Sequence, residues 1–151
     1  MKGFIILFIS IFFTYSNGYT FLVDKYDKEI ELESKIILNI AEVSLHEKVK
    51  LFIPHITISE RDVYSKIFTL TKTCDKSNFV YVKTENNEDD LCMDKNKLYF
   101  TNNYKKLLSN DKYFGAFFWS KSRPNIVFIK NRLKREHLSL PQNYQQFIED
   151  L

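Results

Sequence analysis

The stretch "IELESKIILNIAEV", residues Ile30 to Val43, decides the fold class that the sequence predicts. Apolar residues fill most of its even-numbered positions, from Ile30 to Ile40, whereas Glu31, Glu33 and other polar residues fall on odd-numbered ones. An alternation of period two over this length is typical of a half-buried β-strand, because successive side chains of a strand point to opposite faces. We therefore expect a strand over this stretch.

Further segments have the composition and alternation of strands and are separated by turn residues. They are residues 48–59, 64–74, 78–85, 97–102, 112–120 and 125–131. A short amphipathic helix is predicted at 102–110, and a terminal helix after Ser139, a plausible N-cap. The pattern predicts a mainly β fold, an antiparallel β-sandwich of about seven strands with a short C-terminal helix. The alternative is an α+β fold with that helix packed on an antiparallel sheet.

The strand "YFGAFFWS" is aromatic on both predicted faces. By alternation, Phe117 and Trp119 share a face with Tyr113, and Phe114 and Phe118 lie opposite. A central strand that is covered on both sides has this composition. The alternative is an exposed aromatic patch, in which Phe117 and Trp119 contact a protein partner.

Residues 1–18 have the layout of a secretory signal peptide, with a positive Lys2, an apolar run and a small Gly18 before the predicted cut. The apolar run Phe4 to Phe13 is shorter than the roughly 20 residues of a spanning helix, so an uncleaved anchor is the weaker alternative. Cleavage leaves residues 19–151 as a single β-rich domain, secreted or in the lumen of the secretory pathway, with no transmembrane segment.

The two cysteines, Cys74 and Cys92, are predicted to form a disulfide, as cysteines of exported domains usually do. Without a third ligand nearby they make a poor zinc site. The chain contains 44% hydrophobic and 16% aromatic residues, which argues against disorder. A formal net charge of +3 is lower than that expected of a general nucleic-acid binder, and no nucleic-acid partner is predicted.

Catalytic and metal-binding motifs are missing from the sequence. His46, His55 and His137 are far apart and have no metal-ligand spacing, and His55 is expected to be a partly buried, hydrogen-bonded side chain. The acidic segment Glu85 to Asp90 resembles a calcium loop in charge only. We therefore predict no cofactor, no metal and no enzymatic activity.

A basic segment, residues 121–135, contains no acidic residue and is strongly positive, and Glu136 follows directly after it. Its basic residues are Lys121, Arg123, Lys130, Arg132, Lys134 and Arg135. Three interpretations remain open: a solvated loop, a surface for a sulfated glycan or other polyanion, and a processing site. For processing, Arg132, Lys134 and Arg135 supply the Arg-x-Lys-Arg form that furin-type proteases cut in an exposed, extended segment.

Together these features predict a secreted, non-catalytic binding or adhesion protein that engages another protein, on a host cell surface or in an extracellular complex. The candidate contacts are the aromatic strand and the basic segment. One alternative is a glycan-binding or polyanion-binding module that uses residues 121–135. The other is a secreted hydrolase, which a pocket holding a His, a carboxylate and a Ser or Thr would favour.

Overall fold

A computed structural model of the protein describes residues 17–83, 92, 94 and 96–151, with side chains from Lys25 onward. Most of the predicted signal peptide and the acidic segment Glu85 to Asp90 lie outside these described residues. The helices are α1 (Asn17–Leu45), α2 (Ile58–Tyr64), α3 (Tyr104–Ser109) and α4 (Lys130–Arg135). The strands are β1 (Lys50–Phe52), β2 (Thr69–Leu70), β3 (Phe79–Val82), β4 (Leu98–Thr101), β5 (Tyr113–Ser120), β6 (Arg123–Ile129) and β7 (Ile148–Glu149).

Within the described part of the chain, the strands form one seven-stranded sheet in the order β2-β1-β3-β4-β5-β6-β7. Every neighbouring pair is parallel except β5 and β6, which form an antiparallel hairpin. The fold is therefore α/β, and the predicted antiparallel β-sandwich is wrong. The alternative, a helix on an antiparallel sheet, fails for the same reason: helices such as α2 and α3 cross over between parallel strands.

The stretch Ile30 to Val43 is part of the long helix α1 and not a strand. The buried residues of α1 from Ile30 onward recur every three or four positions and are Ile30, Glu33, Ser34, Ile37, Ile40, Ala41 and Ser44. That spacing places them on one face of a helix. The apolar residue Leu32, which supports the alternation, is 43% exposed. None of the helices in the described residues has the length and apolarity to cross a bilayer.

The chain end also differs from the predicted terminal helix. A 3₁₀ helix at Gln142–Phe147 leads directly into β7, which pairs with the edge of β6. The hydroxyl of Tyr144 donates a hydrogen bond to the side chain of Asn39 in α1, and this contact ties the chain end to the first helix. The short helix predicted at 102–110 is confirmed by α3, in which the Asn103 side chain caps the first turn.

Helices cover both faces of the sheet. On one face α1 packs on a core that contains Phe79, Phe100 and Phe128. On the other face Leu107 of α3 packs with Val80 and its neighbours. Strands that are covered on both sides are nearly continuously apolar, and all four residues of β3 are buried.

A β-bulge in β5 decides which way its aromatic residues point. Tyr99 of β4 pairs with Tyr113, but the next residue, Phe100, pairs with Gly115, so β5 has one extra residue at this point. The insertion reverses the facing of the residues that follow. Trp119 therefore packs with the α1-side core, whereas simple alternation assigned it to the face of Tyr113.

Candidate ligand-binding site

A crevice opens at the carboxyl ends of the parallel strands. The chain runs from β1 outward to β2 and then returns to place β3 on the other side of β1, so the strand order reverses between β1 and β3. In open α/β sheets, ligands bind outside the carboxyl ends of the strands at such a reversal. The residues that follow β1, β3 and β4 here are the segment 53–57, Lys83 and Asn102, and all of them line the crevice.

The crevice has a volume of about 370 Å³, which lies within the usual range for small-molecule sites. One side is apolar and aromatic, formed by Tyr26, Ile30, Ile53, Pro54, Ile56 and Trp119. The Trp119 ring packs edge-to-face on Phe117 at a centroid distance of 5.7 Å, and this contact fixes its orientation. A small organic molecule can therefore rest an apolar portion on this side.

The loop after β1 is shaped by a turn and a helix cap. His55 has a φ of 53°, and its side chain is exposed, not partly buried as the sequence led us to expect. Thr57 begins α2 with a capping box, because its hydroxyl accepts the Glu60 amide N–H while the Glu60 carboxylate accepts the Thr57 amide N–H at 3.0 Å. The box holds the Glu60 carboxylate at the start of α2, facing the crevice.

Two carboxylates share one ammonium group at the polar side of the crevice. The Lys83 Nζ lies 2.6 Å from Glu33 Oε1 of α1 and 2.5 Å from Glu60 Oε1 of α2. The Tyr64 hydroxyl donates to the same Glu33 oxygen at 2.7 Å. The side chains of Glu33, Glu60 and Lys83 retain only 7%, 10% and 15% exposure, so this buried ionic cluster is largely withdrawn from water.

The electrostatics of the cluster fix its protonation. Burial opposes ionisation of Glu60, but hydrogen bonds from Lys83 and Thr57 outweigh it and lower the pKa of that carboxyl. Burial likewise opposes the charge of Lys83, and the two carboxylates overcome it and raise the pKa of the ammonium. Burial, reinforced by the charge of Glu33, raises the pKa of Tyr64 and Tyr81. At neutral pH the cluster thus holds charged Lys83 and Glu60 beside neutral tyrosines.

These contacts limit the chemistry that the crevice offers. The Thr57 hydroxyl donates to Glu60 Oε2 at 2.8 Å, so its proton is directed to a carboxylate and not to an imidazole. Lys83 keeps its proton and is therefore a poor nucleophile. Within the described ranges, no group of three or more His, Cys, Asp or Glu side chains is placed to hold a metal ion. The arrangement is suited to binding by charge and packing.

The aromatic residues predicted as partner contacts have separate environments. Phe117 is fully buried in the core, and Trp119 lines the crevice. Neither belongs to a flat exposed patch of β5. The structure thus directs Trp119 toward a concave site, and a contact of these two residues with a protein stays a prediction.

The basic segment is distributed over a hairpin and a helix. Lys121 and Arg123 are exposed at the turn between β5 and β6, and Lys134 is exposed on α4. Lys130 pairs with Asp150 at 2.6 Å, and Arg135 pairs with Asp111 and Glu136. The residues Arg132, Lys134 and Arg135 lie in helix α4 and not in an extended loop. Polyanion binding and processing at this segment both stay predictions.

Arg132 points inward and closes the end of α3. Its Nη1 donates to the carbonyl oxygens of Leu107 at 2.6 Å, Tyr113 at 2.8 Å and Asn110 at 3.1 Å. The carbonyls of Leu107 and Asn110 belong to the last turn and the C-cap of α3, where intrahelical donors are lacking, and the carbonyl of Tyr113 lies at the start of β5. Sequence reasoning grouped Arg132 with the surface cations, but its contacts are those of a C-terminal cap.

We expect Arg132→Ala to lower the free energy of unfolding by about 1.5–3 kcal/mol, since a charged donor to three carbonyls is lost. Lys134→Ala, an exposed position on the same helix, is the matched control and is expected to change it by less than about 0.5 kcal/mol. Urea denaturation measures both variants. Equal small effects would show that the carbonyls of α3 do not depend on Arg132.

The predicted disulfide is present: Cys74 and Cys92 are joined, with Cα atoms 5.7 Å apart. It links the 3₁₀ turn before β3 to the chain segment before β4. Tyr99 reinforces that segment by donating its hydroxyl to the carbonyl oxygens of Cys92 at 3.2 Å and Asp94 at 2.8 Å.

The variant Cys74→Ser/Cys92→Ser is expected to lose about 3 kcal/mol of unfolding free energy, because the bond closes a loop with a sequence separation of 18. Denaturant unfolding of the variant and of the chemically reduced protein should give the same loss. A reduced protein as stable as the oxidised one would contradict this expectation.

The site residues that the sequence did not single out are Glu33, Glu60, Tyr64 and Lys83. One signal for them exists, since "TISE", Thr57 to Glu60, has the pattern of a capping box and marks a helix start after β1. The ion pair between Glu33 and Lys83, which are 50 positions apart in the sequence, cannot be predicted from any local sequence pattern. Comparisons of the chain with protein-family models, curated proteins and solved structures find no match.

Proposed function

We propose that this protein is an exported, non-catalytic binding protein whose crevice between the carboxyl ends of β1 and β3 takes a small organic molecule. The observation that carries the proposal is the crevice itself. It lies at the reversal of strand order, and it combines an aromatic side with a fixed, buried ionic cluster. Export is supported by the signal-peptide pattern of residues 1–18 and by the Cys74–Cys92 bond, which is compatible with an oxidising compartment.

The test uses the single tryptophan of the chain as a reporter. In a screen of small organic molecules by ¹H–¹⁵N NMR, binding in the crevice should shift the Trp119 indole N–H together with the amides of His55, Thr57 and Lys83. Shifts confined to other parts of the described structure would contradict the proposal.

A matched pair of variants ties the shifts to the crevice. Ile56→Trp fills it, because Ile56 lines the apolar side, and it should abolish binding. Ile58→Trp, two positions further along, changes a side chain that is 81% exposed and does not line the crevice. It should leave binding unchanged. Equal loss in both variants would place the ligand elsewhere.

A hydrolase is the second candidate, because His55, Thr57 and Glu60 line the same crevice. The commitment of the Thr57 hydroxyl to Glu60 supports binding over hydrolysis. We expect the protein and its His55→Ala variant to hydrolyse 4-nitrophenyl acetate at the same rate. A rate that falls at least tenfold in the variant would favour the hydrolase.

A further inference from the structure

The charged groups that line the crevice are unequal in number. Among the described residues that line it, three carboxylates, Glu29, Glu33 and Glu60, accompany one ammonium group, Lys83, and no arginine. Lys83 is already shared between Glu33 and Glu60 at hydrogen-bond distance. An anionic ligand would meet excess negative charge and a cation with two carboxylates already on it. The lining therefore favours a positively charged ligand.

Of the three carboxylates, Glu29 has the weakest contacts with cations and hydrogen-bond donors of the protein. Both oxygens of Glu60 accept hydrogen bonds, from Lys83 and from Thr57. Glu29, by contrast, is paired in the described part of the chain with Lys25, whose Nζ lies 3.8 Å from Oε1, beyond hydrogen-bond distance. The Glu29 side chain is 36% exposed at the crevice and the Lys25 side chain is 56% exposed, so a ligand can displace this weak pair.

The apolar and aromatic part of the lining offers the other element of cation recognition. Trp119 and Tyr26 line the crevice with aromatic surface. A cation over the face of a tryptophan is attracted by the ring quadrupole, and the attraction grows when both groups are withdrawn from water. Ile30, Ile53 and Ile56 extend this side with apolar surface for a hydrocarbon body.

We propose that the ligand of this crevice is a small organic ammonium ion, with its charged nitrogen between Glu29 and the Glu33 side of the ionic cluster and its apolar body against Trp119. This inference rests on the proposed function, because it names the ligand class for the same site. A volume of about 370 Å³ accommodates an amine of the size of an aryl-alkylamine.

Three probes of matched shape and different charge test the ligand class: benzylamine, benzyl alcohol and benzoate. Each is titrated into the full-length mature protein while the Trp119 fluorescence and the indole N–H shift are followed. We expect the dissociation constant of benzylamine to be at least tenfold lower than that of benzyl alcohol, and benzoate to bind most weakly. The preference for benzylamine over benzyl alcohol should fall with added salt.

Matched acidic variants locate the charge that matters. Glu29→Gln should weaken benzylamine binding about fivefold or more and leave benzyl alcohol unchanged, because only the cation depends on that carboxylate. Glu31→Gln, two positions away on α1, removes a carboxylate that pairs with Lys35 and does not line the crevice. It should leave both probes unchanged. Equal weakening by the two variants would show that only the overall charge of the protein matters and would overturn the proposal.

The titration with the three probes distinguishes a wrong ligand class from a wrong binding site. If benzyl alcohol or benzoate binds in the crevice as tightly as benzylamine, the cationic ligand class is wrong and the crevice stands as a small-molecule site. If none of the three probes shifts the Trp119 indole at millimolar concentration, both proposals fail.

Discussion

Replacement of Lys83 by methionine is expected to lower the free energy of unfolding at pH 7 by about 3–5 kcal/mol. The variant keeps two carboxylates, Glu33 and Glu60, that lie on either side of the lost ammonium and retain only 7% and 10% exposure. Without a cation, each is a buried charge beside another of the same sign. Denaturant unfolding of wild type and variant at equal ionic strength measures the difference.

The pH dependence distinguishes this cause from lost packing. In the wild type the folded-state pKa of Glu60 is lowered, so its contribution to stability is present above the unfolded value, about 4.3, and is lost as pH falls through the folded pKa. In the variant Glu60 loses the hydrogen bond and the charge of Lys83 that lower its pKa, while the burial that raises this pKa remains, so protonation of Glu60 removes a buried negative charge as the pH falls. The stability difference should therefore narrow as the pH falls from 7 toward 4.

Lys72→Met provides the control for Lys83→Met. Lys72 is exposed after β2, and its replacement should change the unfolding free energy by less than about 0.5 kcal/mol. If Lys83→Met loses the same amount of unfolding free energy at pH 7 and at pH 4, the loss comes from side-chain packing and not from the charges of the ionic cluster.

Gly115→Val is expected to have the second large effect, a loss of about 3 kcal/mol or more, at or above the upper end of overpacking costs. A Cβ at this position would lie 2.5 Å from a ring carbon of Phe100, 2.8 Å from one of Phe128 and 2.8 Å from the Val127 carbonyl oxygen. The carbonyl belongs to the paired strand β6 and cannot move away without breaking the hairpin. Glycine is therefore required at the bulge.

Replacement of Gly115 should affect the crevice as well as the stability of the fold. Displacement of β5 at the bulge would also move Trp119, so the variant should show a changed indole N–H shift when it remains folded. Ser120→Val, at the exposed end of β5, is the control and should change stability by less than about 0.5 kcal/mol. A fully stable Gly115→Val protein would contradict the close packing of β4, β5 and β6.

The sequence predicted several of the strands, but the antiparallel direction that it predicted for them is wrong, because all neighbouring pairs except β5 and β6 are parallel. Residues of β3, β4, β5 and β6 have β-forming composition, and each falls within a predicted strand or within a few residues of one. Parallel and antiparallel pairing depend on what connects the strands, and here the decisive connection is α2. Its capping box, Thr57 to Glu60, is the local signal that the β-strand interpretation of residues 48–59 passed over.

The helix α1 shows why periodicity misled. Between Ile30 and Ile40 the apolar residues satisfy a period of two, and they also satisfy helical spacing when Glu33 and Ser34 count as buried positions. A prediction from hydrophobic periodicity places polar residues such as Glu33 on the solvent-exposed face of an element. Glu33 is inside because Lys83 and Tyr64 neutralise and hydrogen-bond it, and only the tertiary structure reveals those partners.

The candidate site was the least predictable part. Trp119 was singled out, but the bulge at Gly115 turned it to the crevice side of the sheet, and no alternation rule foresees an inserted residue. The disulfide between Cys74 and Cys92 could be predicted, because the number of cysteines and the signal-peptide pattern were sufficient to indicate it.

The most direct test of the crevice as a ligand site is a crystallographic soak of the mature protein with a mixture of small organic amines, alcohols and carboxylates. We expect density in the crevice between the carboxyl ends of β1 and β3, against Trp119 and Glu29. A second groove, between α1 and α2, has the larger volume, about 700 Å³, and is lined by Ile58, Ile67 and Asp62 among others. Molecules bound in that groove, with the crevice left empty, would show that the crevice is not the ligand-binding site.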